Sequence, residues 1–241
     1  MEQMRLDKFL SACGVCSRTE AKRAIRAGGV TVNGVAAKSA EQKLDAEADR
    51  VVFCGKPVSY RKYTYILLNK PEGVVSATED GRDRTVIDLL PPEVRRAGLF
   101  PCGRLDKNTL GLMLITDNGE LAHRLLAPKS HVEKEYRFRS KFPISAADAA
   151  RFEEGVTLED GYETKPAGIS LEGEGDGGII TLVEGKYHQI KRMLEALDNK
   201  ITYLERIRFG PLMLDPTMER GEWRYLSEEE IAALEAHGKT N

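Results

Sequence analysis

Phe100-Pro101-Cys102-Gly103-Arg104-Leu105-Asp106-Lys107-Asn108-Thr109-Leu110-Gly111-Leu112 is the stretch from which the rest of the chain can be read. It sets one carboxylate, Asp106, between two cations, Arg104 and Lys107. Glycines on either side, Gly103 and Gly111, permit a tight backbone path. An apolar run from Leu110 to Ile115 follows, the length of a buried strand. The expected picture is a loop that presents an acid at the mouth of a cleft, with cations beside it and a core strand behind it.

Outward from this loop the chain alternates strands with a few helices. Tyr65 to Lys70 reads as a strand ending in the turn Lys70-Pro71-Glu72-Gly73, and Val74-Val75-Ser76 reads as its resumption. Asp117 and Glu120 bracket a helix start, and Leu121, Leu125 and Leu126 form its apolar side. Tyr136 and Phe138 alternate with charges in Lys134 to Arg139, as on a strand. Ser145 caps a helix through Phe152, Gly168 to Gly178 is a hairpin or loop, and Ile179 to Val183 is a buried strand. A helix ends near Leu197, a strand runs from Tyr203 to Phe209, and Ser227 with Glu230 caps a final amphipathic helix. This mixture predicts an α+β body over residues 61–241.

The N-terminal part has a different character. Leu6, Phe9, Leu10 and Cys13 recur at helical spacing, and Ser17 with Glu20 forms a capping box for a second helix. That helix carries Arg18, Lys22 and Arg26 in one basic stripe. Asn33-Gly34 between Val30-Thr31-Val32 and Val35-Ala36-Ala37 is a strong hairpin signal, and Val51-Val52-Phe53 reads as a further strand. Residues 57–63 read as a linker. Residues 1–62 hold twelve lysines and arginines against seven acids, a net +5, so the remainder, with 24 against 31, carries −7. A basic module of about 60 residues on an acidic body predicts a nucleic-acid partner held by one end.

The whole chain has 241 residues, 41% hydrophobic and 31% charged, an ordinary globular composition. It contains no apolar run of membrane-spanning length and opens on a polar segment, so a cytoplasmic protein without a membrane partner is expected. Cys13 and Cys16 stand two apart without a second pair, and the histidines are remote in sequence. The expectation is therefore buried or half-buried free thiols and no metal. Cys102 has no activating histidine nearby in sequence and is not expected to act as a nucleophile.

The loop at Asp106 resembles the catalytic motif of pseudouridine synthases of the RsuA/RluB type, G-R-L-D-x-x-T-x-G-L, with every fixed position present from Gly103 to Leu112. Three further stretches resemble the same family in order: Asn69-Lys70-Pro71-Glu72-Gly73, Lys134-Glu135-Tyr136 and Glu184-Gly185-Lys186-Tyr187-His188-Gln189-Ile190-Lys191-Arg192-Met193. Residues 4–60 resemble an S4-type RNA-binding domain through Arg5 to Leu10, Ser17-Arg18 with Ala21, and Gly28 to Gly34.

The resemblance implies an isomerase that converts a uridine of ribosomal RNA to pseudouridine, breaking the N1–C1′ bond and rejoining the base through C5. The opening Arg5-Leu6-Asp7-Lys8-Phe9-Leu10 looks more like the small-subunit (16S) type; the large-subunit (23S) types of the RluB, RluE and RluF kind are the alternative. The partner implied is ribosomal RNA or a pre-ribosomal small-subunit particle, bound by a monomer, and no cofactor is needed because the reaction has no redox step.

The implied catalytic set is Asp106 as carboxylate, Tyr136 stacking on the detached uracil, and Lys191 as the cation that keeps the carboxylate ionised, with Arg192 as the competing neighbour. Arg104 resembles the residue that assists base flipping, and Leu204 is a candidate pocket wall. RNA contacts are expected from Arg18, Lys22, Arg26, Arg104 and Arg192. His188 is read as a hydrogen-bonded structural residue, and the choice between a covalent and a glycal route stays open. Two rivals stand beside this reading. A glycoside hydrolase would need two carboxylates across the bond, and the loop supplies one. A non-catalytic ribosome-binding protein would keep the first 60 residues and have no use for Asp106, Tyr136 and Lys191 together.

Overall fold

A computed structural model describes residues 3–58, 60, 62–95 and 97–237. The chain divides into two units, Met1–Lys62 and Tyr63–Asn241. In the first, β1 (Gln3–Arg5) leads into α1 (Leu6–Ala12) and α2 (Arg18–Arg26). Then come β2 (Val30–Val32), β3 (Val35–Ala36), β4 (Lys43–Asp45), β5 (Val51–Phe53) and β6 (Lys56–Val58). The capping box forms as its residues dictate: the Glu20 amide donates to Ser17 Oγ and the Ser17 amide donates to the Glu20 carboxylate. Asn33 and Gly34 take positive φ values of 52° and 81°, which closes the β2–β3 hairpin. Leu6, Phe9, Leu10, Ala21, Ile25, Val30 and Val51 form its core.

The linker expectation is corrected at its start. Pro57 and Val58 belong to β6, which pairs antiparallel with β5 at the sheet edge, where proline's missing N–H costs no ladder bond. Ser59 and Arg61, which that expectation also covers, lie outside the described residues. Cys54, expected to be buried or half-buried, is exposed in the β5–β6 turn, whereas Cys13 and Cys16 are half-buried and Cys102 is buried.

The second unit is built on one mixed sheet. Its elements are β7 (Tyr65–Lys70), β8 (Phe100–Pro101), β9 (Leu110–Thr116), α3 (Gly119–Leu126), β10 (Lys134–Ser140), α4 (Ala146–Glu154), β11 (Gly168–Glu172) and β12 (Gly177–Leu182). They continue with α5 (Gln189–Glu195), β13 (Ile201–Phe209), β14 (Leu212–Met213), β15 (Trp223–Tyr225) and α6 (Glu228–Ala236). The strand order is β11-β12-β10-β13-β9-β7-β15, with β8 on β9 and β14 on β13. The β13–β9 pair is parallel and the other pairs are antiparallel.

Both faces of the sheet are covered, so β7 is buried along its whole length. Ile66, Leu68, Met113, Phe138 and Ile180 enter one core, while Tyr65, Leu67, Leu112, Leu114 and Phe209 enter the other. Tyr136, Leu105, Ile190 and Leu204 belong to the first, which places the candidate site at the edge of that core.

Two boundaries differ from expectation. Val74 to Ser76 is not a strand; Val75 makes an isolated bridge to Thr85. The cap of α3 is Asn118, whose Oδ1 accepts from the Leu121 amide at 3.0 Å. Asp117, one residue earlier, instead accepts from the Thr64 amide at 2.6 Å. Both residue types cap helices well, so the sequence places this start only to within a residue.

Candidate active site

The loop between β8 and β9 is held from three sides. Gly103 opens it at φ 87°. Its middle is tied by the Thr109 amide, which donates to the Asp106 carbonyl at 3.0 Å. Ser76 locks Leu105 in both directions: its hydroxyl donates to the Leu105 carbonyl at 2.8 Å and accepts from the Leu105 amide at 3.0 Å. The Gly73 amide donates to the Lys107 carbonyl at 2.9 Å.

Beneath the loop lies Lys70, fully buried at the end of β7. Its ammonium donates to the carbonyls of Thr109 (2.9 Å), Pro71 (3.1 Å) and Lys107 (3.3 Å). Burial pushes its pKa down to about 8, against the pull of Asp106 and Glu72. Sequence reasoning took Lys70 only as part of an entry motif and missed this clamp. The signal available was a lysine closing an otherwise apolar strand, Tyr65-Ile66-Leu67-Leu68-Asn69-Lys70.

Gly111 explains why the loop can join β9 so closely to its parallel neighbour. It pairs with Arg206 of β13 at φ 98°, and a Cβ there would stand 2.3 Å from the Arg206 carbonyl oxygen. No other residue fits this position without moving a strand.

Across the cleft, Lys191 Nζ lies 2.7 Å from Asp106 Oδ2 and 2.7 Å from Asn108 Oδ1. The two partners stand 85 residues apart in sequence. Arg192 turns away and pairs with Asp160 at 2.6 Å. Successive residues of a helix point about 100° apart, so α5 can offer only one of the two to Asp106. The approach to α5 is fixed by Gln189, which accepts from the Lys186 amide at 2.8 Å and donates to Glu184 at 2.7 Å. His188 precedes the helix in the left-handed region, with Nε2 3.4 Å from Asp106 Oδ1 and its ring stacked on Tyr187 at 3.8 Å. It is thus a second neighbour of the carboxylate.

Tyr136 and Leu204 line the same pocket as Asp106 and Lys191. They stand on the adjacent strands β10 and β13, Tyr136 opposite Arg206 and Leu204 opposite Phe138, both nearly buried at 9% and 6% exposure. Arg104 stands exposed at the rim, and Lys107 is drawn off to Asp83 at 2.6 Å. Cys102 is fully buried, and burial pushes its thiol up to about 11, which leaves no thiolate for nucleophilic chemistry near neutral pH. Arg18, Lys22 and Arg26 are all exposed along α2 of the first unit. Among the described residues no cluster of three or more His, Cys, Asp or Glu could hold a metal ion, and no helix is long and apolar enough to cross a membrane.

The sequence model for RNA pseudouridylate synthases matches residues 64–196, and that for the S4 domain matches residues 4–51. The chain belongs to the RNA pseudouridine synthase family. It is 47% identical over 234 residues to an uncharacterized RNA pseudouridine synthase, YtzG, of Bacillus subtilis (strain 168), covering 96% of this chain and 98% of that one. It is 44% identical to the ribosomal small subunit pseudouridine synthase A of Vibrio cholerae serotype O1, covering 96% and 99%. A crystal structure of a pseudouridylate synthase superimposes with a TM-score of 0.67 at 34% identity, over 96% of this chain and 99% of that one. This synthase is therefore an isomerase acting on RNA, an S4 domain followed by a catalytic domain on a mixed sheet.

Proposed function

We propose that this synthase isomerises one uridine of small-subunit (16S) ribosomal RNA to pseudouridine, with Asp106 as its catalytic carboxylate. The observation that carries the assignment of the site is the Lys191–Asp106 ion pair at 2.7 Å in a pocket walled by Tyr136 and Leu204. The reaction breaks N1–C1′, turns the uracil, and joins C5 to C1′; the C5 proton leaves and N1 is protonated, so no atom or electron is gained overall. One carboxylate beside C1′ and C6 meets the charge that develops as the glycosidic bond breaks. Lys191 is the counter-charge that also orients it, through a bond shared with Asn108. The Tyr136 ring offers a face on which the freed uracil stacks while it turns.

The base must leave its stack to reach Asp106, and Arg104 at the rim is placed to take its space or its phosphate. The S4 domain supplies affinity through the Arg18, Lys22 and Arg26 stripe, and free ribosomal RNA or an assembling small-subunit particle, in the cytoplasm, is the substrate of a monomeric enzyme. The choice of small-subunit RNA rests on the 44% identical Vibrio relative named for that subunit. The test is incubation of the purified protein with 16S and 23S rRNA, followed by carbodiimide treatment and reverse transcription. A new stop in 16S rRNA is expected; a stop only in 23S rRNA reassigns the target, and no stop in either, from RNA or particles, contradicts the proposal.

A further inference from the structure

The Asp106 pocket adjoins a second cavity of about 460 Å³, and two of the cations on its wall, Lys134 and Arg206, have no part in the reaction as described. Lys134, Arg206, Arg104, Lys165 and Lys186 line it, against only two carboxylates, Asp106 and Glu184. The two acids are outnumbered, and among the described residues neither stands at ion-pair distance from Lys134 or Arg206. Asp106 is paired with Lys191, and Glu184 is occupied by the Tyr162 hydroxyl (2.9 Å), the Lys165 amide (2.9 Å) and Gln189 (2.7 Å).

Lys134 and Arg206 are the unusual members. Arg206 is 2% exposed. Its Nε donates to the Leu112 carbonyl at 2.8 Å, its guanidinium sits 5.1 Å from the Phe209 ring centroid, and its Nη2 is buried without a hydrogen-bond partner. Lys134 opens β10, half-buried, with Nζ on the Val132 carbonyl at 2.7 Å and 5.8 Å from the same ring. Among the described residues neither has a carboxylate at ion-pair distance. Burial and the nearby Arg206 charge push the Lys134 ammonium down to about 8. Two like charges held together in a low-dielectric wall are costly, and a methionine at either position would be cheaper. A cost of this kind is offset when a ligand brings the missing anion.

We infer that Lys134 and Arg206 form the floor of an anion subsite that takes a phosphate of the RNA strand, the one bonded to the sugar of the reacting uridine. This rests on the reading of the protein as a uridine isomerase at Asp106. A nucleotide flipped into the Asp106 pocket carries its phosphate with it, one sugar away from C1′, and the adjoining cavity shares Arg104, Asp106 and Tyr136 with that pocket. The subsite would hold the sugar by its phosphate while the base detaches and turns.

The experiment compares uridine 5′-monophosphate (UMP) with uridine as ligands of the full-length protein, by calorimetric or competitive titration, in wild type and Lys134→Met. The wild type should bind UMP about tenfold or more tightly than uridine, the worth of a charge-assisted contact. Lys134→Met should shrink that preference at least threefold, leave uridine affinity unchanged, and melt no lower than wild type, because it removes an unpaired buried charge. Arg206→Gln, which keeps a donor near Leu112, should shrink the preference in the same direction. A wild type without preference for UMP overturns the inference, as does an unchanged preference in both variants. Lys134→Met that melts lower and loses both ligands together makes Lys134 a structural cation, which also overturns it. Inorganic phosphate binding as tightly as UMP would assign the site to a free anion and not to the strand. Pseudouridine formation is scored separately: UMP preference with no pseudouridine from rRNA would remove the functional reading and leave the anion site standing.

Discussion

At the residue scale, the adjacent pair Lys191 and Arg192 carries the sharpest test of the site's wiring. Lys191 meets Asp106, and Arg192 is spent on an exposed Asp160. Lys191→Met should therefore lower the single-turnover rate by about a hundredfold, a loss of about 2.7 kcal/mol, and Arg192→Met by less than about threefold. Equal small effects would remove Lys191 from the site.

Lys70 yields a pH prediction. Its folded pKa is about 8 against the ordinary 10.5. Below pH 8 both folded and unfolded chains are protonated, and the native state bears the full cost of the buried charge. Between about 8 and 10.5 the unfolded chain binds more protons, so stability rises with pH through that window. Lys70→Met should abolish this rise. Urea unfolding at pH 7.5 and 10 should show a gain in wild type larger than in the variant by on the order of 1–3 kcal/mol. Lys134 shifts in the same direction but is present in both proteins and cancels. Lysines carry this information poorly in sequence, because nothing in the letters tells a solvated ammonium from one bonded to three carbonyls. The Asp106 loop was legible for the opposite reason: its glycines and its acid are each required by a local backbone or chemical need.

At the scale of the element, the join between β9 and β13 depends on the absence of a side chain at Gly111. Gly111→Ala puts a Cβ into the Arg206 carbonyl and a positive φ on an L-residue, so a loss of about 3 kcal/mol or more is expected in urea unfolding. Gly119→Ala, in the first turn of α3 with open space around it, is the control and should be neutral or stabilising by about 0.5–1 kcal/mol. Equal effects from both would show that the close approach does not constrain the sheet. The elements most readily read from sequence were those with local punctuation: the Ser17 and Ser227 capping boxes and the Asn33-Gly34 hairpin. Strands defined only by their partners were not read. β1, β8 and β15 are two or three residues long and acquire their pairing from β4, β9 and β7. Pro57 disguised β6 because an edge position tolerates what a central strand does not.

At the scale of the whole molecule, charge is divided between the two units, +5 over residues 1–62 and −7 over the rest. If the basic stripe of the S4 domain grips phosphate, changing Arg18, Lys22 and Arg26 to Gln should lower RNA affinity. It should also flatten the slope of log K against log salt by about 0.7 to 0.9 for each phosphate that is no longer neutralised. The rate at saturating RNA should hold, since Asp106, Tyr136 and Lys191 lie in the other unit. Filter binding across a salt series, alongside single-turnover rates at saturation, measures both; an unchanged slope would reduce the stripe to a solvated helix face.

The central claim, that Asp106 is the catalytic carboxylate, is tested most directly by single-turnover pseudouridine formation with Asp106→Asn on rRNA at saturation. The substitution keeps size and shape, so RNA binding should stay within about threefold while the rate falls about a thousandfold or more, a loss of about 4 kcal/mol. A variant that binds RNA normally and turns over within tenfold of wild type would contradict the account.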